Sequence, residues 1–331
     1  MDAFPIIDVA PLFDPSADID PVAQQINEAA ETIGFFGVRG HGVPKAHVQA
    51  LYDAAYGFFD LPLPEKQRVA RPAPEQNRGY IGYGEETLSR LAGNESPPDR
   101  KELFAIGPFD LPDEPYFTGP AAYPSFAPNR WPEHPAALTP ALKTYWRDVE
   151  RLAFALSRAY AKALGLEDGF FADKIDRHIS QLRIMHYPAM ETTPMPGQLR
   201  AGAHTDLSMM TLLYADNTNG GLQVQRRSGE WVDAPPLQDA FAVNIGDLMM
   251  RWTNDRWVST PHRVVNPVEA AGSRRLSVGM FFIPNYDAKV ECIPSCLAPG
   301  AEPKYEPTTV AGYRTERFAR TAGVRKEAVA G

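Results

Sequence analysis

The sequence predicts a mainly β fold with a helical N-terminal region, and three observations carry that prediction. From about 179 to 290 the chain breaks into short β-rich runs separated by Gly, Asn, Pro and Asp. Ahead of that stretch, apolar residues recur at helical spacing in three longer segments. No internal repeat, low-complexity tract or linker divides the 331 residues. The β-rich part therefore reads as an antiparallel core, a sandwich or barrel. It is expected to belong to a single compact domain with an α-rich region over 1–178, the β core over 179–290 and a tail over 291–331.

In chain order, FPIIDVAPLF reads as a short strand entering a turn, and a helix follows from about Pro21 to Gly34. GFFGVRGHGVP is a glycine-punctuated strand whose tight turn gives His41 a structural role. KAHVQALYDAAYGFFDLP returns to helical spacing. From about Arg71 to Pro135 the chain is rich in Pro, Gly and aromatics, an excursion suited to form a lid or wall over a pocket. A long amphipathic helix runs from roughly Pro140 to Leu164. The runs SQLRIMHYP, MMTLLYA, GLQVQ, FAVNIGD, RVVNP and RRLSVGMFFIP are the expected strands, and TVAGYRTERFART closes the chain with helical spacing.

The chain is long enough to bury a substantial core. Its net charge of −8 argues against a sequence-independent grip on a phosphate backbone, which needs clustered Lys and Arg. That charge leaves room for a small anion held by one or two buried arginines. No run approaches the roughly 18 apolar residues of a membrane span. The acidic start lacks the basic-then-apolar order of a signal peptide, so a cytoplasmic protein is expected. Cys292 and Cys296 are too few for a disulfide framework or a four-cysteine zinc site and read as ordinary loop thiols.

Of the histidines, His204 in AHTDLSMMTLL and His262 in STPHRVVNP lie in the β-rich part in suggestive company. An H-x-D step on an extended strand puts His204 and Asp206 on one face. A second histidine from a distant strand could complete a face of two imidazoles and one carboxylate. Such a face suits Fe(II) and leaves three coordination positions open. Alone, the step is equally a turn or N-cap carboxylate beside a hydrogen-bonded core histidine. A third element strengthens the metal reading: Arg275 and Ser277 share a strand face shortly after His262. A guanidinium fork with a hydroxyl is a receptor for a carboxylate, and a buried Arg needs an anionic partner. Metal face and carboxylate anchor are the two halves of a site for 2-oxoglutarate.

AHTDLSMMTLL, GGLQVQ, FAVNIGDLMMRWTNDRWVSTPHRV and RRLSVGMFFIPNYDA, in this order, resemble the isopenicillin-N-synthase-like superfamily of Fe(II)/2-oxoglutarate-dependent oxygenases. FPIIDVAPLF and GFFGVRGHGVP resemble its leading segment. The resemblance implies a double-stranded β-helix core (jelly roll, cupin-like) with iron inside one open end. It implies that His204, Asp206 and His262 are metal ligands. It also implies that Arg275, Ser277 and Tyr187 hold the C5 carboxylate of 2-oxoglutarate, whose C1 carboxylate and keto oxygen chelate the iron and leave one position for O2. Met185 and His186 replace the family's usual Asn and Tyr, so Met185 is expected in the apolar wall and His186 away from the metal. Arg183 shares the Tyr187 face, either as a cation for a substrate carboxylate or within a structural ion pair. Phe281 keeps the inward parity, and the resemblance implies that it lines the substrate cavity, with core packing as the alternative. Asn244 with Gly246 and Asp247 reads as a turn supporting the metal strand, and Trp252 and Trp257 as packing around the next loop.

The implied function is an Fe(II)- and 2-oxoglutarate-dependent dioxygenase that hydroxylates, desaturates or otherwise oxidises a small metabolite, with a lean toward a carboxylate-bearing one. Two other readings stay open: an Fe(II) oxidase that uses no 2-oxoglutarate and binds a substrate carboxylate at Arg275 and Ser277, and a non-catalytic metal-binding barrel. A monomer without nucleic-acid or membrane partners is the expected state.

Overall fold

In a computed structural model, which describes residues 4–189, 193–215, 221–235, 237–266 and 274–318, the helical spacing of the first half resolves into discrete helices. They are α1 (Asp20–Thr32), α2 (Lys45–Phe59), α3 (Leu63–Gln67), α4 (Pro115–Thr118), α5 (Leu138–Ala163) and α6 (Ala172–Ile175), followed later by α7 (Asp247–Trp252) and α8 over 310–318. Leu138, Leu142, Tyr145, Val149, Leu152 and Leu156 recur every three or four residues on α5 and form one buried stripe. That stripe packs against α1 and α2. Gly34 closes α1 in the left-handed region at φ +67°, and a Cβ there would lie 2.2 Å from the Val258 carbonyl oxygen. Only glycine satisfies both demands.

The strands are β1 (Ile6–Asp8), β2 (Phe35–Arg39), β3 (Gly79–Ile81), β4 (Glu102–Ile106), β5 (Gln181–Tyr187), β6 (Ala201–His204) and β7 (Met210–Ala215). They continue with β8 (Leu222–Gln225), β9 (Trp231–Asp233), β10 (Phe241–Ile245), β11 (His262–Val264), β12 (Arg275–Phe282), β13 (Lys289–Val290) and β14 (Thr308–Thr309). A large sheet has the order β1-β2-β10-β7-β12-β5-β4-β3, and a smaller one the order β6-β11-β8-β9. Phe35 of the large sheet packs with Val224 of the small one and lies edge-on to the His262 ring. The sheets thus face each other in the jelly-roll arrangement expected from the sequence.

The period of two along β5 and β12 decides what each face does. Leu182 and Ile184, with Leu276, Val278, Met280 and Phe282, enter the core shared with α1, α2 and α5. Each of these fully buried aliphatic or aromatic side chains contributes roughly 1.5–3 kcal/mol. The alternate residues Arg183, Met185 and Tyr187 pair with Gly279, Ser277 and Arg275 on the opposite, inward face. A one-residue slip would exchange the two sets, so the apolar set fixes the register of the polar one.

One sequence expectation changes and two are narrowed. The 71–135 excursion is a wall rather than a lid: β3 and β4 extend the large sheet beyond β5, with Leu103 and Ala105 paired to Met185 and Arg183. Asn244 lies within β10 and not in a turn, because the turn starts only at Gly246 and α7 begins at Asp247. The helical tail is present over 310–318, while 319–331 lies outside the described residues. Among the described residues no helix is long and apolar enough to cross a membrane.

Candidate active site

The small sheet delivers both candidate imidazoles. His204 ends β6 and His262 begins β11, and the two are direct cross-strand partners with ring centroids 4.4 Å apart. β6 stops at His204, so Asp206 reaches the same space from the turn that follows and not from the strand. Its Oδ1 lies 3.6 Å from His204 Nε2 and its Oδ2 lies 3.7 Å from His262 Nε2. These separations are too long for hydrogen bonds. One potential donor atom from each residue lies within 4.8 Å of the others, and all three residues are buried.

The protons are placed by the backbone. His204 Nδ1 sits 2.7 Å from the Gly202 carbonyl oxygen, and His262 Nδ1 sits 3.1 Å from that of Thr260. A carbonyl only accepts, so each Nδ1 carries the hydrogen and each Nε2 turns a lone pair toward Asp206. Burial, with the adjacent His262 ring, pushes the His204 pKa down to about 3. Burial alone would raise the Asp206 carboxyl. The His262 and His204 rings and hydrogen bonds from Asn244 and Thr211 hold it below its ordinary value instead. Two imidazole nitrogens and a carboxylate are a donor set that fits Fe(II).

The large sheet fastens this set from behind. Asn244 Nδ2 and Thr211 Oγ1 donate to Asp206 Oδ2 at 2.8 and 2.7 Å, leaving Oδ1 open. Gly246 lets this segment pass against the metal turn, since a Cβ there would lie 2.0 Å from the Ser208 carbonyl oxygen. The Asp247 N–H donates to the Asp206 carbonyl oxygen at 2.8 Å. Its buried carboxylate accepts from Ser259 at 2.6 Å, Tyr313 at 3.0 Å and Thr205 at 3.3 Å. Burial raises the Asp247 pKa, against the pull of Ser259, Arg317, Tyr313 and Thr205. One side chain thereby ties the segments that carry the triad to α8. Such supporting contacts typically govern metal affinity by about 10–100-fold. Asn244→Ala should weaken Fe(II) binding by about that factor while turnover persists at saturating iron, which a metal titration of activity would check.

Arg275 is 3% exposed, Ser277 0% and Tyr187 2%. The guanidinium carbon lies 5.1 Å from the Tyr187 ring centroid, Nη1 reaches Ser277 Oγ only at 3.5 Å, and Nε has no hydrogen-bond partner. Among the described residues no carboxylate pairs with Arg275. A buried guanidinium in that state calls for an anion. The Tyr187 hydroxyl meets only the Met185 sulfur at 4.0 Å and is likewise available. Met185 packs with Ile81, Leu103, Ala105 and Tyr187, as its apolar side chain requires. His186 points to the other face, where it pairs with Glu102 at 2.9 Å and stacks on Phe59.

Arg183 is already paired: Nη2 lies 2.6 Å from Glu86 Oε1, and Lys101 lies 3.3 Å from Glu86 Oε2 and 2.9 Å from Asp99. Burial opposes the Glu86 charge, but Arg183 and Lys101 dominate and hold its pKa near 2. The stability this gives is complete above the ordinary value of 4.5 and is lost as pH falls from there toward 2. Glu86→Gln strands the buried Arg183, while Lys101 keeps Asp99, and should cost roughly 3–5 kcal/mol at pH 7. The gap from the parent should narrow on acidification through that window, as melting curves against pH would reveal. Phe281 is half-buried with its ring centroid 5.7 Å from the Arg183 guanidinium carbon, on the pocket side. Thr211 and Glu86 were missed in the sequence. Thr211 lies in the strand just after the H-x-D step, but Glu86 sits in the irregular excursion, where no periodicity marks it.

A profile of the 2OG-Fe(II) oxygenase superfamily matches residues 179–284. One described as non-haem dioxygenase in morphine synthesis, N-terminal, matches residues 4–134. The chain is 33% identical to the 2-oxoglutarate-Fe(II) type oxidoreductase hxnY of Emericella nidulans, over 98% of this chain and 93% of that one. It is 33% identical to homoarginine-6-hydroxylase 2-ODD-233 of Oryza sativa subsp. japonica, over 92% and 93%. A full-length Neurospora crassa protein solved in complex with alpha-KG superposes with a TM-score of 0.82 at 32% identity, covering 96% of each chain. The same fungal protein has also been solved with alpha-KG and thymine.

Proposed function

The chain belongs to the 2OG-Fe(II) oxygenase superfamily, and from that premise we propose the residues that run its reaction. The protein is an Fe(II)- and 2-oxoglutarate-dependent dioxygenase built on a double-stranded β-helix. His204, Asp206 and His262 hold the iron through Nε2, Oδ1 and Nε2. Arg275, Ser277 and Tyr187 take the C5 carboxylate of 2-oxoglutarate. The observation that carries this reading is the buried guanidinium without an acid on the strand face that looks into the same chamber as the triad.

When bound, iron and 2-oxoglutarate supply the oxidising power: O2 is reduced as the keto acid loses CO2 to give succinate and a substrate C–H bond is oxidised. The chain supplies position and dryness. The Gly202 and Thr260 carbonyls fix the imidazole tautomers, and Asn244 and Thr211 fix the carboxylate. Burial of the whole set excludes competing water. No side-chain general base is needed. Substrate lies against Phe281, with the Arg183–Glu86 pair as the polar wall beside it.

The whole chain acts as one catalytic unit, an α-rich region over 1–178, the β core over 179–290 and a tail over 291–331, of which 319–331 lies outside the described residues. We place it in the cytoplasm as a monomer acting on a small carboxylate-bearing metabolite, without a nucleic-acid or membrane partner. Incubating the Fe(II)-loaded protein with 2-oxoglutarate in air should give succinate even before a substrate is found, through slow uncoupled turnover. No succinate above the His204→Ala background would remove the reading.

A further inference from the structure

Two arms of contacts leave the candidate metal triad and meet at Ser125. Along one arm, Thr211, which holds Asp206, is the β7 partner of Phe281 on β12, and the Phe281 ring faces Arg183. Arg183 Nη2 in turn lies 3.4 Å from Asn77 Oδ1, and the next residue is the buried Arg78. Along the other arm, Arg317 of α8 donates to Thr205, the residue between His204 and Asp206, at 3.4 Å. One turn earlier on α8, Arg314 Nη1 donates to Ser125 Oγ at 3.3 Å, while Arg78 Nη2 donates to the Ser125 carbonyl oxygen at 2.6 Å. The arms therefore close on Arg78, Ser125 and Arg314.

The charges along this ring are unequal. Arg183 has Glu86, Lys101 has Asp99, and Arg317 lies 3.7 Å from Asp247. Arg78 and Arg314 repel each other, and among the described residues neither has a carboxylate within ion-pair distance. Arg78 spends its donors on the carbonyls of Asn77, Ser125 and Ala127. Among the described residues Arg314 makes one hydrogen bond, to Ser125, and the rest of its fork has no partner. Burial lowers both arginines to about 10, with Arg314 adding to the effect on Arg78, as expected for like charges short of a counter-ion.

We propose that Arg314, backed by Arg78, is the receptor for an anionic group of the substrate, so that the enzyme prefers small organic acids over their neutral counterparts. The proposal rests on the reading of the chamber as a 2-oxoglutarate oxygenase site and assigns the substrate anchor to α8. Arg183 is not that anchor, because its charge is met by Glu86. The acid would span from α8 toward the triad, with its apolar body on Phe281. A planar fork favours a carboxylate over a single point acceptor.

The test uses the full chain, held anaerobically with Fe(II) and saturating 2-oxoglutarate so that Arg275 is occupied. Calorimetry then compares phenylacetate with phenylacetamide, which differ in charge and hardly in shape. Phenylacetate should bind roughly 10–100-fold more tightly, the worth of a charge-assisted hydrogen bond. Arg314→Gln should erase the difference, Arg314→Lys should restore part of it, and the exposed Arg158→Gln should leave it. Equal binding of acid and amide, binding of neither at millimolar concentration, or a preference that survives Arg314→Gln would overturn the proposal. Repeating the comparison on metal-free Arg275→Ala protein separates the two claims. The preference should persist there, so a wrong cosubstrate assignment would appear as a missing 2-oxoglutarate complex and not as a missing acid preference.

Discussion

Asp206→Ala is expected to abolish Fe(II) binding and turnover together while leaving the fold in place. Asp206 supplies the only negative charge in the proposed ligand set, since an imidazole carries none and the carbonyl partners leave each Nε2 as the free nitrogen. Alanine leaves two neutral nitrogens, which cannot retain a dication in a buried site against water. The loss should exceed the 10–100-fold typical of changes in the surrounding hydrogen bonds, setting it apart from Asn244→Ala. It also strands the Asn244 amide and the Thr211 hydroxyl, at roughly 1–3 kcal/mol. That cost is small against the core of the large sheet, so a native circular dichroism spectrum should accompany the loss of iron after dialysis. Retention of stoichiometric iron would remove Asp206 from the ligand set.

Arg275→Ala is expected to do the reverse, keeping the iron and losing 2-oxoglutarate. In the proposed complex the desolvated guanidinium meets the C5 carboxylate in a site with no competing acid among the described residues. Truncating such a pair costs about 2–5 kcal/mol, or roughly 30- to 5000-fold in 2-oxoglutarate affinity. Arg275→Lys should recover only part of this, since an ammonium cannot reproduce a planar two-point contact. Unchanged 2-oxoglutarate affinity in Arg275→Ala, with iron bound, would show that the anchor lies elsewhere.

The sequence made the β core legible because alternation in RRLSVGMFFIP and SQLRIMHYP records two faces with different tasks. The same parity grouped Arg275 with Ser277 and Tyr187 with Arg183. The H-x-D step brought His204 and Asp206 together by a strand argument, although Asp206 lies just past the strand end. What the sequence hid is long-range. Thr211 and Asn244 act on Asp206 from the opposite sheet, and no local spacing announces such a contact. Glu86 reaches Arg183 from an irregular segment whose composition signals only turns. Asp247 read as part of a turn because Gly246 precedes it. Its function follows from α8, which folds back over a distance that no window of sequence spans. The Arg183 alternatives, ligand cation or structural ion pair, could not be separated until Glu86 was placed.

The central claim is that one chamber holds Fe(II) on His204, Asp206 and His262 and 2-oxoglutarate on Arg275. Its most direct test is anaerobic: Fe(II) is added to metal-free protein, then 2-oxoglutarate, while the visible spectrum is followed. A weak charge-transfer band that saturates with one equivalent of iron, and that is absent in Asp206→Ala, is the predicted result. Iron that binds without producing any band on addition of 2-oxoglutarate would contradict the account and reassign Arg275 to a substrate carboxylate.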